Sequence, residues 1–214
     1  MVLTNGHCRE EGMPAPGQFF THESSSRDID VLDDQSNPIG TIHATEVLYS
    51  TMTGTDITLY KIQETYAAIE LQWGAHPLTL SSKHPVAGTS IEVISGYWRR
   101  GYSCQIEAFV NQLKESDWTM TDSIRYSRPG CEVIGGTSGS PVIEKGTRNV
   151  IGVNNTVNES GAQCTIDNPC EVDKQGKVTA EKGLAYGQET YPIYSCFNEA
   201  REFDLATPGC ALLH

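Results

Sequence analysis

Six short runs rich in Val, Ile, Tyr and Thr recur along the chain, and Gly, Pro, Asn and Ser separate them. β-Branched and aromatic residues favour strands, whereas the separating residues favour turns. The runs cover residues 45–51, 56–62, 91–98, 104–110, 140–144 and 149–153. Short strands at such intervals are typical of a β-sandwich or a β-barrel. The sequence therefore predicts an all-β fold.

One helix is predicted, near the C-terminus. It covers residues 195–205, SCFNEAREFDL, with Ser195 as the N-cap and apolar residues about one turn apart, and Thr-Pro-Gly follows it. Two polar segments, 10–40 and 158–182, are rich in turn-forming residues. We expect both to be surface loops.

Charge and length limit the partners that the chain can have. Its 214 residues carry a formal net charge of −12, and such a protein is repelled by nucleic acid and by anionic membranes. No apolar run approaches the ~18 residues that a membrane-spanning helix requires. We therefore expect neither nucleic acid nor a membrane as a partner, and one large domain or two small ones.

Cysteine usage indicates an oxidised, exported protein. The chain has seven cysteines and no C-x-x-C spacing of the kind that binds zinc or performs redox chemistry. Disulfides persist in oxidising compartments, so we expect a secreted or periplasmic location. No signal peptide is visible at the start of the chain, and the odd cysteine is expected to be Cys8. Both features suggest that sequence preceding Met1 is missing.

Three residues offer the components of nucleophilic catalysis. His7 follows VLTNG, Asp56 precedes the alternating run ITLYKI, and Ser138 lies in the glycine-rich stretch VIGGTSGSPVIEKG. Each alone has an ordinary structural explanation: a loop histidine, a turn aspartate and a turn serine. Together they supply a nucleophile, a base and a carboxylate that orients the base. A glycine-rich loop also allows the backbone N–H groups of Gly136 and Ser138 to converge on an oxyanion.

The chain resembles the trypsin/chymotrypsin superfamily of serine endopeptidases. LTNGHC corresponds to LTAAHC, TDITLYKI to DIALL, and GGTSGSPV to GDSGGPV. The stretch CEVIGGTSGSPV is most similar to the bacterial branch that includes the glutamyl endopeptidases. The resemblance implies His7 as general base, Asp56 as its orienting carboxylate, Ser138 as nucleophile, and Gly136 and Ser138 as the oxyanion hole.

The resemblance also implies the architecture. We expect two antiparallel six-stranded β-barrels, the first incomplete at its N-terminus because two strands would precede the histidine, and a short C-terminal helix. The expected divisions are residues 1–80 for the partial first barrel, 81–194 for the second, and 195–214 for the helix and tail. We predict the disulfides Cys104–Cys131, Cys164–Cys170 and Cys196–Cys210, with Cys8 left free because its family partner would precede Met1.

The resemblance also bears on substrate specificity. The resemblance places the primary pocket along NVIGVNN and the segment before the serine, and the expected pocket residues are Glu132, Val133, Gly152, Val153, Asn154 and Asn155. Asn154 stands where glutamyl endopeptidases have a histidine, which argues against glutamate specificity. Glu132 would favour Lys or Arg at the pocket base, or it points outward from its loop. Thr137 replaces the aspartate of trypsin-like zymogens, so activation by that route is not expected.

Two functions follow from these residues. The first is a secreted, monomeric serine endopeptidase that hydrolyses polypeptides through an acyl-enzyme, without metal or cofactor. The second is a non-catalytic, protease-like binding or scaffold protein, inactive because of truncation or a collapsed pocket. An intact His7, Asp56 and Ser138 set favours the enzyme.

Overall fold

Two β-sheets account for most of the regular structure in the computed structural model, which describes residues 1–213. The first sheet contains β1 (Val2–Thr4), β2 (Phe19–Phe20), β3 (Glu23–Ser24), β4 (Asp28–Leu32), β5 (Pro38–Thr51) and β6 (Ile57–Ile62). The second contains β7 (Thr79–Leu80), β8 (Ser90–Ser95), β9 (Arg100–Glu115), β10 (Trp118–Tyr126), β11 (Pro141–Glu144), β12 (Asn149–Val157), β13 (Cys170–Val172), β14 (Val178–Thr179) and β15 (Ala185–Glu189). The helices are α1 (Tyr66–Trp73) and α2 (Tyr191–Tyr194), and a 3-10 turn spans Gly6–Cys8.

The long strand β5 organises the first sheet. On one side it pairs antiparallel with β6, which pairs with β1; on the other it pairs in turn with β2, β3 and β4. Val47, Tyr49, Leu59 and Tyr60 of β5 and β6 are fully buried. Within residues 1–213 this six-stranded sheet does not close into a ring.

The second sheet closes on itself. Its strands follow the order β8, β9, β10, β15, β12 and β11, and β11 pairs back onto β8. This six-stranded ring agrees with the expected second barrel. The short strands β7, β13 and β14 are attached outside the ring, and β7 pairs with β12 in parallel. Inward residues such as Ile91, Val93 and Ile124 are fully buried, so the ring encloses a packed core rather than a channel.

One apolar cluster joins the two sheets. It combines Tyr49, Ile57 and Leu59 of the first sheet with Val153 of the second and Ile193 of α2. Burying these side chains together fixes the first sheet against the ring. The turn before β6 and the loop before β11 are thereby brought to the same side of the molecule.

The predicted helix over 195–205 is wrong. The helix lies just before it, at α2, and the following residues form turns. Asn198 explains the difference, because its side chain accepts a hydrogen bond from the Glu202 backbone N–H (2.9 Å). The Glu202 carbonyl in turn accepts from the Asn198 N–H. Such local bonds compete with helix formation, and Arg201 has a left-handed φ of 62°.

Sequence patterns did not predict helix α1. The Thr65 side chain caps it by accepting a bond from the Ala68 N–H (3.1 Å), and Gly74 ends it with a φ of 67°. Only Ile69 of this helix is buried. Because its apolar residues do not gather on one face, the usual helical periodicity is missing. Neither helix in the described chain is long and apolar enough to cross a membrane.

Both segments expected to be loops contain short strands. Residues 10–40 include β2, β3, β4 and the beginning of β5, and residues 158–182 include β13 and β14. The strands β2 and β3 pair with the edge of β5 opposite β6, and β4 pairs with the part of β5 that β6 does not reach. Pairing with a long neighbour therefore stabilises polar segments whose own composition favours turns.

All three predicted disulfides are confirmed. The Cα atoms are 5.2 Å apart in Cys104–Cys131, 4.8 Å in Cys164–Cys170 and 4.4 Å in Cys196–Cys210. Cys8 forms no disulfide within residues 1–213. The first bridge ties β9 to the segment that precedes Ser138, and the third ties the chain after α2 to the C-terminal tail.

Candidate active site

His7 and Asp56 form a close pair at the edge of the first sheet. The 3-10 turn Gly6–Cys8 presents the imidazole, and its Nδ1 lies 2.7 Å from Asp56 Oδ2. The other carboxylate oxygen, Oδ1, accepts a bond from the His7 backbone N–H (3.1 Å). Asp56 is only 1% exposed. Both oxygens of a buried carboxylate are therefore used to hold one histidine.

Gly6 makes this close approach possible. A Cβ atom at Gly6 would lie 2.2 Å from the Thr51 carbonyl oxygen and 2.8 Å from Asp56 Oδ1. Both distances are shorter than non-bonded contacts allow. Any side chain at this position would push the turn that carries His7 away from the carboxylate.

Asn5 connects the two sides of the site, although sequence patterns did not identify it. Its Nδ2 donates to the Asp56 carbonyl oxygen (2.9 Å), and its Oδ1 accepts from the Gly139 N–H next to Ser138. The residue is fully buried. Its position two residues before His7 was a sequence signal that Asn5 lies at the site. Its contact with Gly139 on the serine loop could not be predicted, because the two residues are distant in sequence. Asn5 thus fixes the serine loop relative to the aspartate.

The electrostatics of the pair favour a charged imidazole. Burial of the ring opposes protonation, but the negative charge of Asp56 and its hydrogen bond outweigh burial and raise the pKa of His7. The Asp56 bond also holds a proton on Nδ1. The remaining ring nitrogen, Nε2, is therefore the one available to accept a proton from a nucleophile.

Ser138 lies on a tight loop built by its neighbours. Gly136 and Gly139 on either side have left-handed φ values of 83° and 82°. The Thr137 N–H donates to the Ile134 carbonyl (3.1 Å), and the Gly139 N–H donates to the Asn154 carbonyl (2.9 Å). Glycine adopts such φ angles without steric cost, so the sequence pattern matches the loop geometry.

His7 and Ser138 line the same cavity, which has a volume of about 300 Å³. The Ser138 hydroxyl donates to the Asn155 carbonyl oxygen (2.8 Å). A general base lies within hydrogen-bond reach of the proton that it takes, but among the described residues Ser138 Oγ forms no direct hydrogen bond with His7. The three predicted residues are thus gathered around one cavity, with the hydroxyl turned towards β12.

The two expected oxyanion donors are free to bind a ligand. Within residues 1–213 the backbone N–H groups of Gly136 and Ser138 make no hydrogen bond, whereas those of Thr137 and Gly139 do. The Trp98 indole N–H donates to the Gly135 carbonyl oxygen (2.9 Å). Since the C=O and N–H of a trans peptide point in opposite directions, this bond turns the Gly136 N–H away from Trp98.

The predicted pocket residues are only partly gathered at the cavity. Val133, Asn154 and Asn155 line it, but Gly152 and Val153 line a different cavity, and Glu132 is exposed and lies at neither. Because Cys131 and Val133 are buried, Glu132 points outward. Glu132, Gly152 and Val153 therefore do not line the cavity beside Ser138, and their assignment to the pocket was wrong.

Other acidic groups do face the cavity. They are Glu115 at the end of β9, and Glu159 and Asp167 in the segment between β12 and β13. Glu115 Oε1 accepts a bond from the Asp167 N–H (2.8 Å), and burial raises the pKa of Glu115. No motif marks these residues, since they belong to segments that only the folded chain brings to Ser138.

Comparisons with known proteins agree with this architecture. The sequence model of a family described as "Trypsin-like peptidase domain" matches residues 1–153. The apo MamO protease domain from Magnetospirillum magneticum is 15% identical, with a TM-score of 0.52, covering 92% of this chain and 82% of that one. The Nocardiopsis protease NAPase is 16% identical, with a TM-score of 0.50, covering 89% and 79%. At such identities these structures show a shared fold alone. No curated protein sequence matches the chain significantly.

Proposed function

Because the chain belongs to the trypsin-like peptidase domain family, we propose that it is a serine endopeptidase that hydrolyses peptide bonds with His7, Asp56 and Ser138. One observation carries the proposal: a partly buried His7, paired with the buried Asp56, shares a cavity with a serine on a glycine-rich loop. A purely structural role does not require a carboxylate whose two oxygens both bind one histidine.

The reaction would proceed in two steps. Ser138 Oγ leaves the Asn155 carbonyl, gives its proton to His7 Nε2 and attacks the substrate carbonyl carbon. Asp56 stabilises the imidazolium, and the N–H groups of Gly136 and Ser138 stabilise the oxyanion. His7 then returns the proton to the leaving amine, which leaves an acyl group on Ser138. Water, deprotonated by His7, hydrolyses this ester and regenerates the hydroxyl.

The acidic lining of the cavity supports a preference for substrates with Lys or Arg beside the cleaved bond. Glu115, Glu159 and Asp167 provide negative charge next to Ser138, and a carboxylate pairs with a cationic side chain. In a series of otherwise identical fluorogenic peptides, we expect Arg or Lys to give a higher kcat/KM than Glu or Phe. Glu115→Gln should reduce this preference about tenfold, as expected for one lost charge contact. Glu132→Gln, which changes an outward-pointing residue, should leave the preference unchanged. If Glu115→Gln also leaves it unchanged, Glu115 does not determine the preference for Lys or Arg.

We further propose a secreted or periplasmic, monomeric enzyme that acts on polypeptides and needs neither metal nor cofactor for the reaction. The three disulfides support an oxidising location. The net charge of −12 opposes binding to nucleic acid or to anionic membranes.

A second candidate is a protease-like binding protein without catalytic activity. The bond from Ser138 Oγ to the Asn155 carbonyl supports it, because a hydroxyl held there is not activated by His7. The two candidates differ in one respect that is simple to measure, the reactivity of Ser138.

A fluorophosphonate reagent tests the proposal, since it modifies serines that an adjacent base activates. We expect one label per chain, on the peptide that contains Ser138. Ser138→Ala should abolish the label, and Ser82→Ala, which removes an exposed serine outside the cavity, should leave it intact. A folded chain that takes no label would favour the binding protein.

A further inference from the structure

A second cluster of ionisable side chains lies on the ring of the second sheet. It combines His84, from the connection between β7 and β8, with Asp122 of β10 and Glu189 of β15. His84 Nε2 lies 3.1 Å from Asp122 Oδ2 and 3.2 Å from Glu189 Oε1. The three ligand atoms all lie within 4.8 Å of one another. None of these residues lines the cavity that contains Ser138.

The surroundings of His84 prepare Nε2 to bind a cation. Its Nδ1 lies 2.6 Å from the Pro85 carbonyl oxygen, which accepts only if Nδ1 carries the proton. The rings of Phe109 and Tyr191 pack against the imidazole, with centroids 4.4 Å and 5.2 Å away. A histidine that donates one ring N–H to a backbone carbonyl while the other nitrogen faces carboxylates has the arrangement typical of a metal ligand.

Glu189 is the buried member of the cluster. Its side chain is only 4% exposed, and its Oε1 accepts no hydrogen bond within residues 1–213 although it faces His84 Nε2. Two carboxylates this close, one of them buried, repel each other unless a cation or a shared proton lies between them.

We propose that His84, Asp122 and Glu189 bind a divalent transition-metal ion of the Zn²⁺ class. One imidazole nitrogen and two carboxylate oxygens are ligands that zinc accepts, whereas Ca²⁺ prefers oxygen alone. Ligands about 2.1 Å from a tetrahedral zinc stand about 3.4 Å from one another, close to the 3.1 and 3.2 Å distances from His84 Nε2. The ion neutralises both carboxylates, gives Glu189 Oε1 a partner, and has a fourth position for water, since His84 is partly exposed.

Bound metal would join three parts of the second sheet. β10 and β15 are neighbours in the ring, and His84 belongs to the segment that enters β8. Because only the folded chain brings the three ligands together, Zn²⁺ should raise the temperature of unfolding, and the rise should increase with the free Zn²⁺ concentration. This effect does not depend on whether Ser138 is reactive.

The test is isothermal titration of the chelator-treated chain with ZnCl₂, with metal content measured afterwards by mass spectrometry. We expect one Zn²⁺ per chain, a Kd of micromolar order and a higher unfolding temperature. Glu189→Gln should weaken binding about 100-fold, and His84→Asn should do the same. Circular dichroism establishes that both variants are folded.

Two control variants exclude other sites. His43→Asn removes an exposed histidine that also contacts two carboxylates, Asp28 and Glu64. Cys8→Ser removes the free thiol. Both should keep a stoichiometry of one and an unchanged Kd. No binding at 100 µM Zn²⁺, roughly a hundredfold above the expected Kd, overturns the proposal. Binding of equal strength in folded Glu189→Gln and His84→Asn also overturns it.

Discussion

Replacing Asp56 by Asn tests the proposed mechanism at its electrostatic centre. In the native pair, Oδ1 accepts from the His7 backbone N–H and Oδ2 faces Nδ1. The backbone N–H is always a donor, so the asparagine oxygen must remain opposite it. The asparagine NH₂ group then faces Nδ1 and forces that nitrogen to act as an acceptor. The ring proton moves to Nε2, which can no longer accept the proton of Ser138.

We expect kcat to fall about 10⁴-fold in Asp56→Asn, equivalent to about 5.4 kcal/mol of transition-state stabilisation. KM should change little, because Asp56 is buried behind His7 and does not touch substrate. Unfolding in urea should stay cooperative, since the substitution keeps the shape of the side chain. The assay is the hydrolysis of a fluorogenic peptide at substrate concentrations spanning KM.

The exposed pair of His43 and Asp28 provides a matched control. There His43 Nδ1 lies 2.6 Å from Asp28 Oδ1, outside the cavity. Asp28→Asn should leave kcat unchanged. A decrease of less than tenfold in Asp56→Asn, or an equal loss in both variants, would refute the tautomer argument.

Three further predictions concern the pKa of His7, the bond from Trp98 to the Gly135 carbonyl, and the Cys196–Cys210 disulfide. Asp56 raises the pKa of His7, and only the neutral ring acts as a base. As the pH is lowered, kcat/KM should therefore fall with a midpoint above pH ~6.5, the ordinary histidine pKa. A midpoint at or below that pH would contradict this prediction. Trp98→Phe removes the hydrogen bond to the Gly135 carbonyl, which orients the Gly136 N–H. It should lower kcat about tenfold at unchanged KM, a smaller loss than the ~10²-fold expected when an oxyanion donor itself is removed. A change confined to KM would contradict this role of Trp98. Replacing Cys196 and Cys210 together by serine should lower the free energy of unfolding by about 3 kcal/mol in a urea titration; an unchanged midpoint would contradict it.

Local sequence patterns predicted the features that depend on short segments. The alternating run ITLYKI after Asp56 predicted β6, and the glycines beside Ser138 predicted the tight loop that the structure shows. The order of His7, Asp56 and Ser138 predicted that they would share a cavity, because the family resemblance adds the long-range arrangement that no single motif contains.

Features set by tertiary pairing were not predictable in this way. The strands within residues 10–40 exist because β5 offers them an edge, and their own composition resembles a loop. For Glu132 the family resemblance left two alternatives open, the base of the pocket or the outside of its loop, and only the burial of its neighbours shows that it points outward. Glu115 reaches the cavity only through the pairing of distant strands.

Acyl-enzyme trapping tests the central claim most directly, because it detects the covalent bond that Ser138 is proposed to form. The chain is mixed with a p-nitrophenyl ester, quenched in acid and analysed by intact-mass and peptide-mass spectrometry. We predict a burst of one p-nitrophenol per chain and an acyl group on the peptide containing Ser138. The absence of a burst from folded protein, or an acyl group on any other residue, would contradict the proposed function.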